Sequence, residues 1–258
     1  MDPATLVGIV LAFAAIFAAM ILEGGSPASI FLVAPLVLVF VGTLGAAMAG
    51  GMLKDTIALV DSLKRVLLSK AATYDKLVED IVKLAEKARR EGLLALEDAM
   101  KEVQDPFLKK GLQLAIDGTD SEELAGILEA EVDAKRKADK QAASIFTAMG
   151  GYAPTIGIIG TVIGLIHVLE NLSAPAKLGG LIASAFVATL WGVLSANVIW
   201  LPMGAKLKRL SDIECGQMEL VIAGIINIQA GANPRLVAQK LRSLLPPGSA
   251  RSDKKEAA

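Results

Sequence analysis

Four stretches of the chain carry no Asp, Glu, Lys or Arg: residues 3–22, 24–53, 141–169 and 178–205. Each reaches or exceeds the ~20 residues that an α-helix needs to cross ~30 Å of hydrocarbon. A core helix of a soluble domain would keep a polar stripe along one side, and these stretches have none. The pattern therefore predicts four transmembrane helices, the first over about 4–22 and the second over about 28–51, joined by "EGGSP". Pro35 lies inside the second and predicts a kink there.

Between the second and third stretches the pattern changes to charge alternating with apolar residues at helical spacing: Leu77, Ile81, Leu84 and Ala88, then Leu93, Leu96, Met100 and Val103 beyond Gly92. "QDPF" starts a helix at Pro106 and "DGTDSEEL" stops it at Gly118. Asp120 with Glu123 then offers a cap for the next helix. No strong breaker follows, so that helix is expected to run on into the third span. The fourth span is likewise expected to continue past Pro202, with Leu207, Leu210, Met218, Val221, Ile225 and Ile228 on its apolar side, as far as "GANP". A short amphipathic helix to about Leu245 follows.

The predicted fold class is an all-α membrane protein with a helical cytoplasmic domain between helices 2 and 3, and with helices 3 and 4 extended into the cytoplasm. Its expected divisions are a transmembrane hairpin at 1–51, a cytoplasmic helical domain at 52–143, and transmembrane helices 3 and 4 at 144–204. Cytoplasmic C-terminal helices at 205–245 and a disordered tail at 246–258 complete it. No internal repeat is evident.

Composition and charge refine this picture. The chain is 53% hydrophobic but only 4% aromatic, so small and aliphatic residues carry the apolar load and close helix packing is expected. Net charge is −1, so the total says little about partners, and no nucleic-acid partner is expected. The distribution is more informative: 16 of the 26 Lys and Arg lie between Lys54 and Lys140, and nine more lie between Lys206 and Lys255. By the positive-inside bias both segments, and hence both termini, are expected to be cytoplasmic, in a multi-pass membrane protein. "MDPATLV" lacks the positive leader of a cleaved signal, so the first span is expected to be permanent. With one cysteine, Cys215, and one histidine, His167, neither an intramolecular disulfide nor a Cys/His metal cluster can form.

"GYAPTIGIIGTVIGL", residues 151–165, carries the candidate chemistry. Gly157, Gly160 and Gly164 share a helix face with Thr161. Helix 4 answers with Ser184, Ala188, Gly192 and Ala196 at steps of four, with Thr189 beside that line. Small faces let helices approach closely where lipid offers no hydrophobic drive. They could bound a site for a further helix and a narrow polar path, or pack helices 3 and 4 against each other. Pro154 and Pro202 are candidate hinges or static kinks. No span holds an ionisable group other than His167, near an outer end, although ion pathways usually use one. If the chain moves ions, the carboxylate must come from another chain. Arg89 and Arg90 before Gly92, with Glu97 and Asp98 after it, would make either two patches of opposite sign or an ordinary solvated edge. An intramembrane hydrolase pairing His167 with Ser195 would place the two at very different depths, and no enzymatic activity is expected.

The motifs "MDPATLVGI", "ARREGLLALE", "GYAPTIGIIGTVIGL", "LWGVLSAN" and "IQAGANPR", in this order around two pairs of spans, resemble the flagellar stator family MotA/PomA, within the MotA/TolQ/ExbB superfamily. The resemblance runs to about Leu245. It implies a homopentamer around two copies of a single-span partner, MotB or PomB, whose aspartate accepts the ion, in a 5:2 assembly. Ion flow would turn the pentamer against the rotor protein FliG. Carried onto this sequence, Pro154 and Pro202 would be linked to torque, and Thr161 and Thr189 would face the ion route. Arg89 and Glu97 would contact the rotor, with Arg90 as a neighbour that has no such role. The coupling ion is H+ or Na+, with H+ favoured as the commoner case, and no cofactor is implied. An ExbB/TolQ-like energiser of outer-membrane processes is the alternative, expected to have three spans.

Overall fold

A computed structural model describes residues 4–68 and 74–246; the tail expected to be disordered lies almost wholly outside these residues. In chain order the helices are α1 (Ala4–Leu22), α2 (Val33–Ala49), α3 (Leu53–Ile57), α4 (Leu59–Leu68), α5 (Tyr74–Glu91), α6 (Leu96–Ala99), α7 (Pro106–Ile116), α8 (Ser121–Glu170), α9 (Pro175–Leu194), α10 (Leu201–Gln229) and α11 (Pro234–Ser243). A six-residue π-helical segment, Ser195–Trp200, joins α9 to α10. Among the described residues there is no strand, so the fold is all-α, as the spacing predicts.

Three helices are long and apolar enough to cross a membrane: α1, α8, and the run Pro175–Gln229 formed by α9, the π segment and α10. The second uncharged stretch is different. It opens with a 3-10 turn at Pro27–Ile30, and its helix, α2, has 17 residues, or about 25 Å at 1.5 Å per residue. The kink expected at Pro35 does not arise. Pro35 sits in the first turn of α2, where a backbone N–H has no intrahelical acceptor to lose, so proline fits there without breaking a bond.

Contacts divide the chain into two compact units, 1–70 with 139–210, and 71–138 with 211–258. In the first, residues of α1, α2, α9 and the π segment form one apolar cluster, and residues of α4, α8 and α10 another. Trp191 donates from Nε1 to the Ile30 carbonyl at 2.7 Å, and rings from α1, α2 and the connecting turn surround it. This unit also takes in α3 and α4, past the point where charge begins. Val66 packs with Ala143, Phe146, Met203 and Leu207, and Arg65 forms a two-pronged ion pair with Asp139.

The second unit has a conventional core. Ile81 and Leu84 of α5 meet Leu108 and Leu112 of α7, Leu124 and Leu128 of α8, Ile225 and Ile228 of α10, and Val237 and Leu241 of α11. Its helix ends follow the sequence signals. Asp105 accepts from Leu108 N at 2.8 Å with Pro106 at the first helical position, and Asn233 caps α11 in the same way ahead of Pro234. Gly118 (φ +79°) and Gly231 (φ +65°) adopt the left-handed conformation that ends α7 and α10, with Thr119 and Ala232 reaching back five residues to the Leu114 and Asn227 carbonyls. Asp120 caps α8 by accepting from the Glu122 N–H at 2.9 Å. The residues after Gly92 form only short turns over 93–99 rather than one amphipathic helix.

Candidate functional site

In the first unit the small faces of α8 and α9 lie against each other. A β-carbon added at Gly157 would stand 2.8 Å from the Ala188 carbonyl oxygen and 3.1 Å from Thr189 Cα. One at Gly192 would stand 2.6 Å from the Ala153 oxygen, and one at Gly164 would stand 2.5 Å from Ala185 Cβ. Gly160 meets both Ala188 and Leu38 of α2. Backbone thus approaches backbone, the arrangement that glycine permits in a lipid environment. The opening that the sequence left for a foreign helix at Gly157, Gly160 and Gly164 is filled by α9 of the same chain.

The polar point in this seam is a pair of threonines. Thr161 Oγ1 is hydrogen-bonded to Thr189 Oγ1 and lies 3.2 Å from the Ala185 carbonyl and 3.3 Å from the Gly157 carbonyl. Thr189 Oγ1 lies 3.2 Å from the same Gly157 carbonyl. Each hydroxyl has one proton to donate and two lone pairs. Two protons therefore serve two hydroxyl oxygens and two carbonyls, and any arrangement leaves oxygen lone pairs free in an otherwise apolar seam. Both threonines are half-buried, so the pair borders an accessible face. One helical turn away on that face lie Ile158 and Leu165 of α8 and Phe186 and Val193 of α9, all exposed. Periodicity alone did not single out these four, because any apolar residue in a span looks alike in sequence.

Pro154 lies inside the unbroken α8, half-buried, four residues after Gly150. Leu201 covers Gly150 so closely that a β-carbon there would be 2.5 Å from Leu201 Cδ2. Pro202 is the second residue of α10, one residue beyond the π segment, and Asn197 in that segment donates to the Val193 carbonyl at 2.8 Å. No signal in the sequence marks this loosened turn. The hydrolase pair does not assemble: Ser195 is buried and donates to the Gly192 carbonyl, while His167 is exposed beside Glu170, 3.8 Å away. Cys215 is buried, with Ser211 Oγ 3.9 Å from its sulfur.

In the second unit, Arg89 and Arg90 end α5, Gly92 turns the chain with φ +87°, and Glu97 opens α6. The neighbouring charges are already paired. Arg90 lies 3.7 Å from Glu86, and Asp98 lies 2.7 Å from Lys101. The hydrogen bond and charge of Lys101 hold the Asp98 carboxyl below its usual range, and Asp98 raises Lys101 in return. Arg89 and Glu97 are exposed and, among the described residues, have no ion-pair partner. Leu94 stands between them in the chain with 74% of its surface exposed, an apolar contact point that the charge pattern did not reveal.

The charge-free apolar helices, closed on each other around a hydroxyl pair, are those of a helical membrane protein, and residues 99–220 match the MotA/TolQ/ExbB proton channel family. The chain is 40% identical to motility protein A of Bacillus subtilis, an alignment covering 95% of this chain and 92% of that protein. It is 31% identical to the chemotaxis protein PomA of Vibrio alginolyticus over 96% of this chain and 97% of that one. Its structure superposes on a C. jejuni MotAB structure with a TM-score of 0.92 at 31% identity, covering 96% of this chain and 97% of that chain. For the flagellar MotAB stator complex of Bacillus subtilis the TM-score is 0.88 at 37% identity, covering 93% and 95%. The chain belongs to the motility protein A family.

Proposed function

We propose that the chain is the A-type stator subunit of a bacterial flagellar motor, which conducts ions only together with a MotB-type single-span partner. The observation that carries this reading is the Thr161–Thr189 pair, set in a seam without Asp, Glu, Lys or Arg. Oxygen lone pairs can coordinate a cation or bind water, but no side chain in this seam can take up a proton near neutral pH, and His167 lies near the outer end of its span, away from the seam. A carboxylate from a second chain supplies the missing step. Ile158, Leu165, Phe186 and Val193 flank the hydroxyls and give a partner helix an apolar surface. The full-length likeness supports the stator over the ExbB-type alternative, since an alignment of 248 residues includes the N-terminal hairpin.

In this reading five copies surround two partner helices in the inner membrane with both termini cytoplasmic. H+ is the favoured ion, and Pro154 and Pro202 accommodate the bending that accompanies rotation. Arg89 and Glu97 engage the rotor protein FliG, with Leu94 between them. The test is reconstitution in vesicles with and without the MotB-type chain, reading pH change or sodium uptake under an imposed potential. Flux is expected only with the partner. Comparable flux from this chain alone would overturn the proposal.

A further inference from the structure

A second feature of the membrane unit lies away from the threonine seam. A groove of about 540 Å³ runs between α1 and the junction of the π segment with α10, a size ordinary for a bound small molecule. Gly8 and Ala12 form one wall, Val198 and Pro202 the other, and Lys206 and Arg209 stand at one end. The wall at Gly8 faces open space, since a β-carbon there would meet nothing within 4 Å. The two cations begin where the uncharged stretch 178–205 ends, so they lie at the edge of the hydrocarbon while the walls lie within it. Arg209 is exposed and, among the described residues, has no ion-pair partner.

From the joining of an apolar groove to a cationic mouth at the membrane boundary, we infer that this groove holds an anionic phospholipid of the inner leaflet. The phosphate would meet Arg209 and Lys206, and an acyl chain would lie along Gly8 and Ala12. Basic pockets between spanning helices on the cytoplasmic side recognise acidic headgroups in this way. A neutral zwitterionic lipid has no net charge to offer the two cations. A lipid here would also contact the π segment and Pro202, the one place in the fourth span where the helix is loosened and a proline follows. The inference rests on the membrane orientation adopted in the proposed function.

The test uses the full chain, purified with its partner chain from nanodiscs containing equal amounts of phosphatidylglycerol and phosphatidylcholine, with retained lipid counted by native mass spectrometry. Phosphatidylglycerol is expected to be retained in preference. Arg209→Gln should lower its retention about fivefold, the effect of one basic residue near an anionic surface, while Arg209→Lys keeps it. Gly8→Leu should fill the groove and abolish retention without changing the number of subunits, and Gly45→Leu, on an open face of α2, should have no effect. Equal retention of the two lipids, or indifference to Arg209→Gln, overturns the inference. So does a changed subunit count in Gly8→Leu, which would make the groove a contact between copies. Partner-dependent flux measured on the same samples separates the two proposals: flux without selective lipid retention removes the lipid site alone, and selective retention without flux removes the stator reading alone.

Discussion

At the residue scale, glycine identity in the seam is fixed by distance. At Gly157 and Gly192 an added methyl would press on backbone atoms, the Ala188 and Ala153 carbonyl oxygens, which cannot swing aside as a side chain can. Overpacking of this kind costs roughly 1–3 kcal/mol. Gly157→Ala and Gly192→Ala are therefore expected to lower the thermal midpoint of the purified complex. Gly45→Ala, with nothing within 4 Å, should hold or raise it through the better helix propensity of alanine. Equal midpoints for all three would show that the helices are not this close. The threonines make a separate prediction. Thr161→Val or Thr189→Val keeps shape and removes the hydroxyl, so subunit assembly should persist while ion flux and swimming speed fall. Thr161→Ser, which restores the oxygen, should recover most of the flux. What the sequence revealed here was a face of small residues with a hydroxyl on it; what it could not reveal was the neighbour. A three-and-four spacing specifies a side of a helix, not the surface that covers it, so partner helix and α9 were equal readings until the backbone distances separated them.

At the element scale, two prolines in apolar helices have different meanings because of where each helix starts. Pro35 falls in the first turn of α2 and costs no hydrogen bond, whereas Pro154 lies 33 positions beyond the first residue of α8 and removes one from the middle of the helix. Helix starts inside uncharged sequence lack the polar caps that mark them elsewhere, which is why the kink expected at Pro35 was not found. In the water-exposed part of the chain, Asp105, Asp120 and Asn233 marked the starts of α7, α8 and α11 directly. The π segment was illegible for another reason: one extra residue in a turn leaves the apolar pattern of a fully apolar stretch unchanged. Interior proline costs ~3 kcal/mol in an ordinary helix, somewhat less where neighbours satisfy the freed carbonyl. Pro154→Ala should therefore raise the thermal midpoint of the complex and, with the bending proposed for rotation at this position removed, reduce motility at unchanged membrane abundance. A variant that is both more stable and fully motile would remove Pro154 from the mechanism.

At the scale of the whole molecule, the spans and the charged segment serve different ends, and the charged edge can be tested without disturbing the membrane unit. Arg89 and Glu97 are exposed and unpaired among the described residues, so reversing either removes no interaction that holds the fold. Arg89→Glu should reduce swimming strongly while leaving expression, membrane insertion and partner-dependent flux intact. Part of the loss should return when the opposing rotor charge is reversed as well. Arg90 is the internal control, since it already lies 3.7 Å from Glu86 on its own helix. At this exposure that pair is worth at most a few tenths of a kcal/mol, so Arg90→Glu should change stability little and motility much less than Arg89→Glu. Raising salt weakens exposed charge contacts over a Debye length of about 10 Å at 0.1 M. Binding of the purified complex to a rotor fragment should thus fall with salt in the wild type and respond less in Arg89→Glu, where one contact is already lost. The residual affinity in that variant should depend on Leu94, whose contact is apolar and insensitive to salt. Equal losses on reversing Arg89 and Arg90, with the same salt dependence, would show that the edge is read as a general positive patch rather than through the particular residues the structure leaves unpaired.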